Sequence, residues 1–465
     1  MMKSIPQDKH LLITLAALLK HFRPAFRQQR VYNRMVVLLI GEVLTLARHT
    51  VTQILFTLGW VERDWSAWYR FFRKERFPYA RLAYLFLEAI LDGFSGKVFV
   101  VAGDGTTTPR SSRKIEGVGW LPHPRNAPFQ RGLSLRQRWF HLAWLTPAEG
   151  GYTRAIPLLW LPAFTPSSRR QAQPARSEVW AARVALRWLQ ASLRALGRGR
   201  LPILFVGDGR YDQITFWRNL PKGVILLTRS ARNRRLFFLP DATMRRDRKY
   251  GEPAPTPAEV WRKRQGWRKF TLKVRGLPRH LQVKVVGPVL RRRASERPLF
   301  LIVVRGKGGR NKARRQPLPF LVNAVQEGEQ WKLPLPVEEL LFWAWQRWEI
   351  EVVHRELKST FGLGEKQSWH VEGAVRSVQW SAWAYSVLVL AGYQAWGVQG
   401  GARPPTRWWR GGSRWSLNTL WRSYRAAWWG EHRFHAVDLE RWLTEGDLTW
   451  IHLSARQAAL GSARL

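Results

Sequence analysis

The sequence predicts a mixed α/β fold in which a layered core is preceded by a helical region and interrupted by an inserted β subdomain. Three observations predict it. Apolar residues recur at helical spacing up to about Phe94; from Lys97 short β-branched and aromatic runs alternate with helical stretches; and from Arg229 to Pro334 the pattern turns to short strands separated by basic turns. The expected units are residues 1–95, helical; 96–228 with 335–396, the α/β core; 229–334, the inserted β subdomain; and 397–465, a basic C-terminal region.

In the first unit, Leu11–Leu19, Val36–Leu46 and Ala80–Leu91 carry apolar residues at helical spacing, interleaved with Arg and Lys. The segment Arg48 to Leu55, followed by Gly59 and a second helix near Trp65 to Phe72, fits a helix-turn-helix or a small helical bundle with a basic face. The core begins with the strand Val98–Ala102, which ends in Gly103-Asp104-Gly105. Strands at Trp139–Leu145 and Tyr152–Leu159 follow, joined by the turn residues Pro147 to Gly151. After a Pro/Ser/Arg-rich link, Pro162 to Arg176, a helix is expected from Ser177 to Leu196, with Gly197 as its stop. Ile203–Val206 is a buried strand ending in Gly207-Asp208-Gly209, and a short helix near Tyr211 to Leu220 and a strand, Val224–Thr228, close the block. In the insertion, Lys269–Val274, Leu281–Val286 and Leu299–Val304 read as strands, with Arg291 to Arg293 and Arg305 to Arg315 as basic turns. A long helix runs from Val337 to Thr360, stopped by Gly362 and Gly364, and another from Gly373 to Trp396.

Lys and Arg number 77 against 32 Asp and Glu, a net charge of +45 with a pI near 11.6. A folded chain with so much like charge repels itself unless a polyanion neutralises it. Nucleic acid, bound through its phosphates, is the partner expected, and residues 1–95 are the expected DNA-binding region. An anionic membrane fits less well, because the excess is spread along the chain instead of lying on one amphipathic segment. Cysteine is absent, which excludes disulfides, thiolate zinc sites and thiol nucleophiles. A metal would sit on carboxylates or His, and hard cations such as Mg²⁺ suit such ligands. Met1–Lys9 lacks the pattern of a signal peptide, so a cytoplasmic location is expected. Ser377 to Ala402 has no formal charge, but Gln379, Ser381, Ser386 and Gln394 dilute it, which favours a buried helix over a membrane span. Of the 28 Trp residues, most are expected in packing, with base stacking open to a few.

Asp104 and Asp208 share one setting: each follows an apolar strand and a Gly, and each precedes a Gly. Such a strand end leaves a carboxylate open to a ligand or metal, although Gly-Asp-Gly is also simply a favourable turn. The third element lies in Arg347-Trp348-Glu349-Ile350-Glu351-Val352-Val353-His354-Arg355-Glu356-Leu357-Lys358. At about 100° per residue, Arg347, Glu351 and Lys358 fall within roughly 40° of one another, and His354 joins that stripe. An acid flanked by cations on one stripe can bind metal while its neighbours hold phosphates. Exposed Arg/Glu pairs are the simpler reading for Glu349 and Glu356.

Arg347, Glu351 and Lys358 reproduce the R-x-x-x-E-x-x-x-x-x-x-K part of the Tyr-Arg-Glu-Lys signature, so the chain resembles the DDE transposases of bacterial insertion sequences, in the group named after insertion sequence four. Asp104-Gly105-Thr106-Thr107, Gly207-Asp208-Gly209-Arg210-Tyr211 and Gly362-Leu363-Gly364-Glu365-Lys366-Gln367 resemble the same group, and the likeness spans roughly residues 30 to 395. The resemblance implies a ribonuclease-H-like core in which Asp104, Asp208 and Glu351 are the catalytic and metal-holding acids for two Mg²⁺, with Mn²⁺ as substitute. It further implies double-stranded DNA as partner, both terminal inverted repeats and target, and a homodimer that pairs two ends, associated with the nucleoid and not with a membrane. Arg347 and Lys358 would fix phosphates, the first as a fork and the second as a point charge. Arg210 and Arg355 are further candidate DNA contacts, and Arg229, Arg232, Arg234 and Arg235 fit either a backbone track or solvated loops.

One departure stands out: where the signature has Tyr, three residues before Arg347, this chain has Ala344. The contact of that Tyr with the DNA end is then lost, or supplied by Trp343 or Trp345. His354 fits proton transfer or DNA contact, and equally a packing role. Two rival functions follow from the same residues. A catalytically silent, transposase-derived DNA-binding protein is favoured by Ala344; a carboxylate-pair glycosidase is disfavoured by the charge and by the Arg/Lys stripe, which sugar hydrolysis does not need.

Overall fold

Helical spacing in the first ninety residues yields α1 (Gln7–His21), α2 (Gln29–Leu44), α3 (Val51–Thr57), α4 (Ser66–Tyr69) and α5 (Tyr79–Asp92) in the computed structural model. The structure describes residues 7–60, 62, 64–73, 76–122, 132–241, 248–306, 317–401 and 414–431. Most of the basic turn expected at Arg305–Arg315, and most of the C-terminal region, lie outside the described residues. Thr50 caps α3, its side chain accepting from the Gln53 amide. The second helix expected near Trp65–Phe72 is one α turn followed by a 3-10 turn, Arg70–Phe72, so this stretch has no helix of recognition length. α3 instead lies back on α2 at Gly41, where an added Cβ would meet Ile54 Cγ2 at 2.3 Å.

The next segment builds β1 (Phe99–Pro109), β2 (Val118–Pro122), β3 (Leu133–Leu145), β4 (Ala155–Pro162), α6 (Glu178–Ala195), β5 (Ile203–Gly207), α7 (Ile214–Arg218) and β6 (Val224–Arg229). The fully apolar runs of β5 and β6 are buried along nearly their whole length, as strands covered on both faces must be. β3 lies antiparallel to β1, β4 antiparallel to β3, and β5 and β6 parallel to β1. The parallel register sets Gly103 against Gly207.

Residues 229–334, expected to form an inserted β subdomain, contribute β7 (Leu236–Phe238), β8 (Pro253–Ala254), α8 (Pro257–Arg262), β9 (Arg268–Val274), β10 (Leu277–Arg291), β11 (Ala294–Gly306), β12 (Leu318–Asn323), β13 (Val325–Glu327) and β14 (Gln330–Lys332). Most of these strands continue the central sheet. β12 pairs antiparallel with β6, with Leu321 opposite Thr228, and the order runs β2-β3-β1-β5-β6-β12-β11-β10-β7-β8, with β4 on β3 and β9 on β10. β6 would otherwise present an open edge, and β12 closes it.

Four more helices follow: α9 (Val337–Gln346), α10 (Trp348–Ser359), α11 (Val371–Trp396) and α12 (Leu417–Glu431). The single long helix expected from Val337 to Thr360 is thus divided at Arg347, whose backbone stays helical (φ −50°, ψ −31°). α11 is buried along most of its length, and packs Trp380 and Trp383 against Phe71, Phe77 and Phe22 of the N-terminal helical region. Among the described residues, no helix is long and apolar enough to cross a membrane. The same junction holds a buried ion pair: Glu42 of α2 accepts from Lys366 Nζ at 2.6 Å and from Trp380 Nε1 at 2.7 Å, and pairs with His49 Nδ1 at 2.9 Å.

Candidate active site

Because Gly103 and Gly207 are opposite one another in parallel strands, the residues that follow them, Asp104 and Asp208, emerge side by side. Neighbouring strands are about 4.8 Å apart, so two carboxylates at such positions feel one another strongly. Burial raises Asp104, Arg347 lowers it, and Asp208 and Glu178 raise it further; the carboxyl is pushed up to about 7. Its Oδ1 accepts from the Gly105 amide at 2.8 Å, while Asp208 Oδ1 accepts from the Arg210 amide at 2.9 Å. Thr228 Oγ1 donates to the Asp208 carbonyl and ties that strand end to β6.

Glu351 comes to this pair on α10, which packs on β1. Arg347 Nη2 donates to Glu351 Oε1 at 2.6 Å, and Arg347 Nη1 lies 3.8 Å from Asp104 Oδ2. One guanidinium therefore links the helix acid to the strand acid. Among the described residues, no group of three His, Cys, Asp or Glu side chains is close enough to hold a metal ion. The oxygen donors suit a hard divalent cation, and the Asp104 carboxyl is raised chiefly by burial, with Asp208 and Glu178 adding to it against Arg347. For Glu351 to share such a cation with the aspartates, Arg347 must give up its bridge.

The expected phosphate contacts divide into two groups. Lys358 and Arg355 are exposed on α10, Arg229 is exposed at the end of β6, and Arg232 is exposed just after it. Arg229, with Asp208, Arg275, Arg279, Trp345 and Arg347, lines an open cavity of about 710 Å³. Ala344 lines it too; Trp343 does not, being buried. Arg210 is instead engaged, donating to Glu178 Oε2 at 2.9 Å. Arg234, read as part of a basic track, is tied at 2.6 Å to the buried Asp212, which also pairs with Arg291.

Sequence reasoning missed Glu178. It is 6% exposed, accepts from Tyr211 Oη at 3.1 Å and lies 3.6 Å from Arg138. An acid at the start of a helix has an ordinary explanation in the helix dipole, so no local signal marked it. Glu349 also differs from the exposed pair expected of it. It is buried and held by Arg275 at 3.0 Å and Arg414 at 2.5 Å. His354 faces the interior, with Nε2 3.1 Å from His141 Nδ1 and its ring against Trp160; burial, then Lys358 and Arg347, lowers it to about 3. It is a neutral packing histidine.

A family model described as DDE superfamily endonuclease matches residues 18–285, a span that holds Asp104 and Asp208 and ends ahead of Glu351. No match was found among curated proteins.

Proposed function

As the chain belongs to the DDE superfamily endonucleases, we propose that it is the transposase of a bacterial insertion sequence, of the group with the Tyr-Arg-Glu-Lys signature. In this reading it binds the terminal inverted repeats, cleaves phosphodiester bonds at the element ends and transfers the 3′-hydroxyl ends to target DNA, acting as a homodimer that pairs two ends. What supports it is that Asp104 and Asp208 follow glycines paired in adjacent parallel strands, and that Arg347 bridges Glu351 to Asp104. The strand order β4-β3-β1-β5-β6, antiparallel then parallel, supports a ribonuclease-H-like core.

Asp104, Asp208 and Glu351 would hold two Mg²⁺, or Mn²⁺ in their place. Such cations supply the charge that activates an attacking oxygen and stabilises a leaving one in an in-line displacement. The chain's own residues do the rest. Arg347 and Lys358 hold phosphates beside the acids, with Arg347 exchanging its carboxylate partners for a phosphate as DNA arrives. Arg229, Arg232 and Arg355 neutralise the flanking backbone. Arg210 is kept near Asp208 by Glu178 and donates from that fixed position.

The test is cleavage of DNA carrying the element's terminal repeats, with Mg²⁺ present. Asp104→Asn, Asp208→Asn and Glu351→Gln should each lose cleavage by about 10³-fold or more while still binding DNA. Wild-type cleavage rates in all three would overturn the assignment. A silent DNA-binding protein is the second reading, favoured by Ala344 in the cavity wall; it predicts salt-sensitive binding with no strand cleavage by the wild type.

A further inference from the structure

The two elements that bear the acidic centre run out to a common place. β1 continues from Asp104 to Pro109, five residues or roughly 16 Å along a strand. α10 continues past Lys358 into the loop from Gly362 to Trp369. Arg110 clasps the two together: its guanidinium donates to the carbonyls of Gly364, Lys366 and Ala374 at 3.0, 3.0 and 3.1 Å, and Gln367 Oε1 accepts from Ser111 Oγ at 3.2 Å. The loop is thereby held at a fixed distance from the acids.

At that place stand two exposed indoles. Trp120 on β2 is 49% exposed and Trp369 is 65% exposed. The consecutive residues Arg113 and Lys114 reach one each: the Arg113 guanidinium lies 5.1 Å from the Trp120 ring centre, and the Lys114 ammonium 5.6 Å from that of Trp369. Each indole is thus oriented by a cation and still open to solvent. Arg169 and Arg170 are exposed beside β2, where Arg169 donates its amide to the Val118 carbonyl. Two large open aromatics flanked by cations offer an anionic partner both a face to stack on and a charge to pair with.

We propose that Trp120 and Trp369, with Arg113 and Lys114, form a platform for unpaired DNA bases beyond the far end of the strand that carries Asp104. A duplex keeps its base faces stacked inside, where an indole cannot reach them. A single strand offers a π-face at every base and a phosphate at every step, which matches aromatics paired with cations. The platform rests on the reading of the chain as a DNA-cutting enzyme, since only that supplies frayed or separated strands here.

The experiment is fluorescence anisotropy with labelled single-stranded and duplex oligonucleotides of equal length, using the full chain and chelator to suppress cleavage. The double variant Trp120→Ala/Trp369→Ala should lose about tenfold or more of its single-strand affinity, and keep its duplex affinity within about twofold. Trp120→Tyr/Trp369→Tyr should recover most of the loss, which a merely structural role would not require. Unchanged single-strand affinity overturns the proposal. So does equal loss on both DNAs, or a change from dimer to monomer in the Ala variant, which would make this sheet edge a contact between copies. The enzyme reading stands apart: absence of cleavage by wild type with the Trp effect intact would sink the nuclease and leave the platform.

Discussion

Asp104 sits between opposing influences: burial and the carboxylates Asp208 and Glu178 hold its proton on, and Arg347 pulls it off, leaving the group at about 7. The unfolded chain would release that proton near the ordinary carboxylate value, so between about pH 4 and 7 the folded state binds more protons. Stability from this group is therefore complete at acid pH and is lost as pH rises through 7. In chelator, the wild type should lose a few kcal/mol of unfolding free energy between about pH 4 and 7 that Asp104→Asn does not lose, as read by urea titration. Adding Mg²⁺ at pH 8 should raise the wild-type midpoint and leave that of Asp104→Asn unchanged. Asp212 is the structural counterpart. It is 1% exposed, tied to Arg234 and Arg291, and accepts from Ser230 Oγ at 2.8 Å. Asp212→Ala strands two guanidinium groups and should cost about 3–5 kcal/mol in the same titration.

Among the elements, β1 owes its shape at the acidic centre to a neighbour from far along the chain. A Cβ on Gly105 would come within 2.0 Å of Glu178 Oε2, and Glu178 cannot yield freely because Arg210 and Tyr211 hold it. Gly105→Ala should leave the protein folded, with unfolding free energy down by about 1–3 kcal/mol, and slow cleavage at least tenfold by displacing Glu178 and with it Arg210. Normal cleavage in this variant would show that the Glu178 contact is dispensable. The strands flanking the two aspartates were legible because their runs are apolar and end at glycines. β2 was not, since Val118-Gly119-Trp120-Leu121-Pro122 is short and carries both Gly and Pro. The division of α9 from α10 was also hidden, because Trp343 to Ile350 has no helix-breaking residue. Asp104, Asp208 and Glu351 could be singled out from local patterns, whereas the bridge by Arg347 and the approach of Glu178 depend on pairings made only when the chain folds.

On the scale of the whole molecule, the charge of +45 is carried by a body whose N-terminal helices are locked to the core through Glu42, Lys366 and Trp380. Binding to duplex DNA should therefore be strongly ionic. Affinity is expected to fall by about 10³-fold or more between 50 and 200 mM salt, and a shallow slope in that titration would count against a long phosphate track. The sheet order, by contrast, could not be read from the chain, because nothing local in Leu318–Asn323 says that it will lie beside Val224–Arg229. That single pairing has a practical outcome for anyone who would trim the protein. Excising residues 230–334 would strip β6 of its neighbour and leave a bare row of amides and carbonyls in the middle of what had been an unbroken plate. The shortened chain should come out of cells as aggregate, and what looks from the sequence like a removable module is a plank on which the rest of the floor is laid.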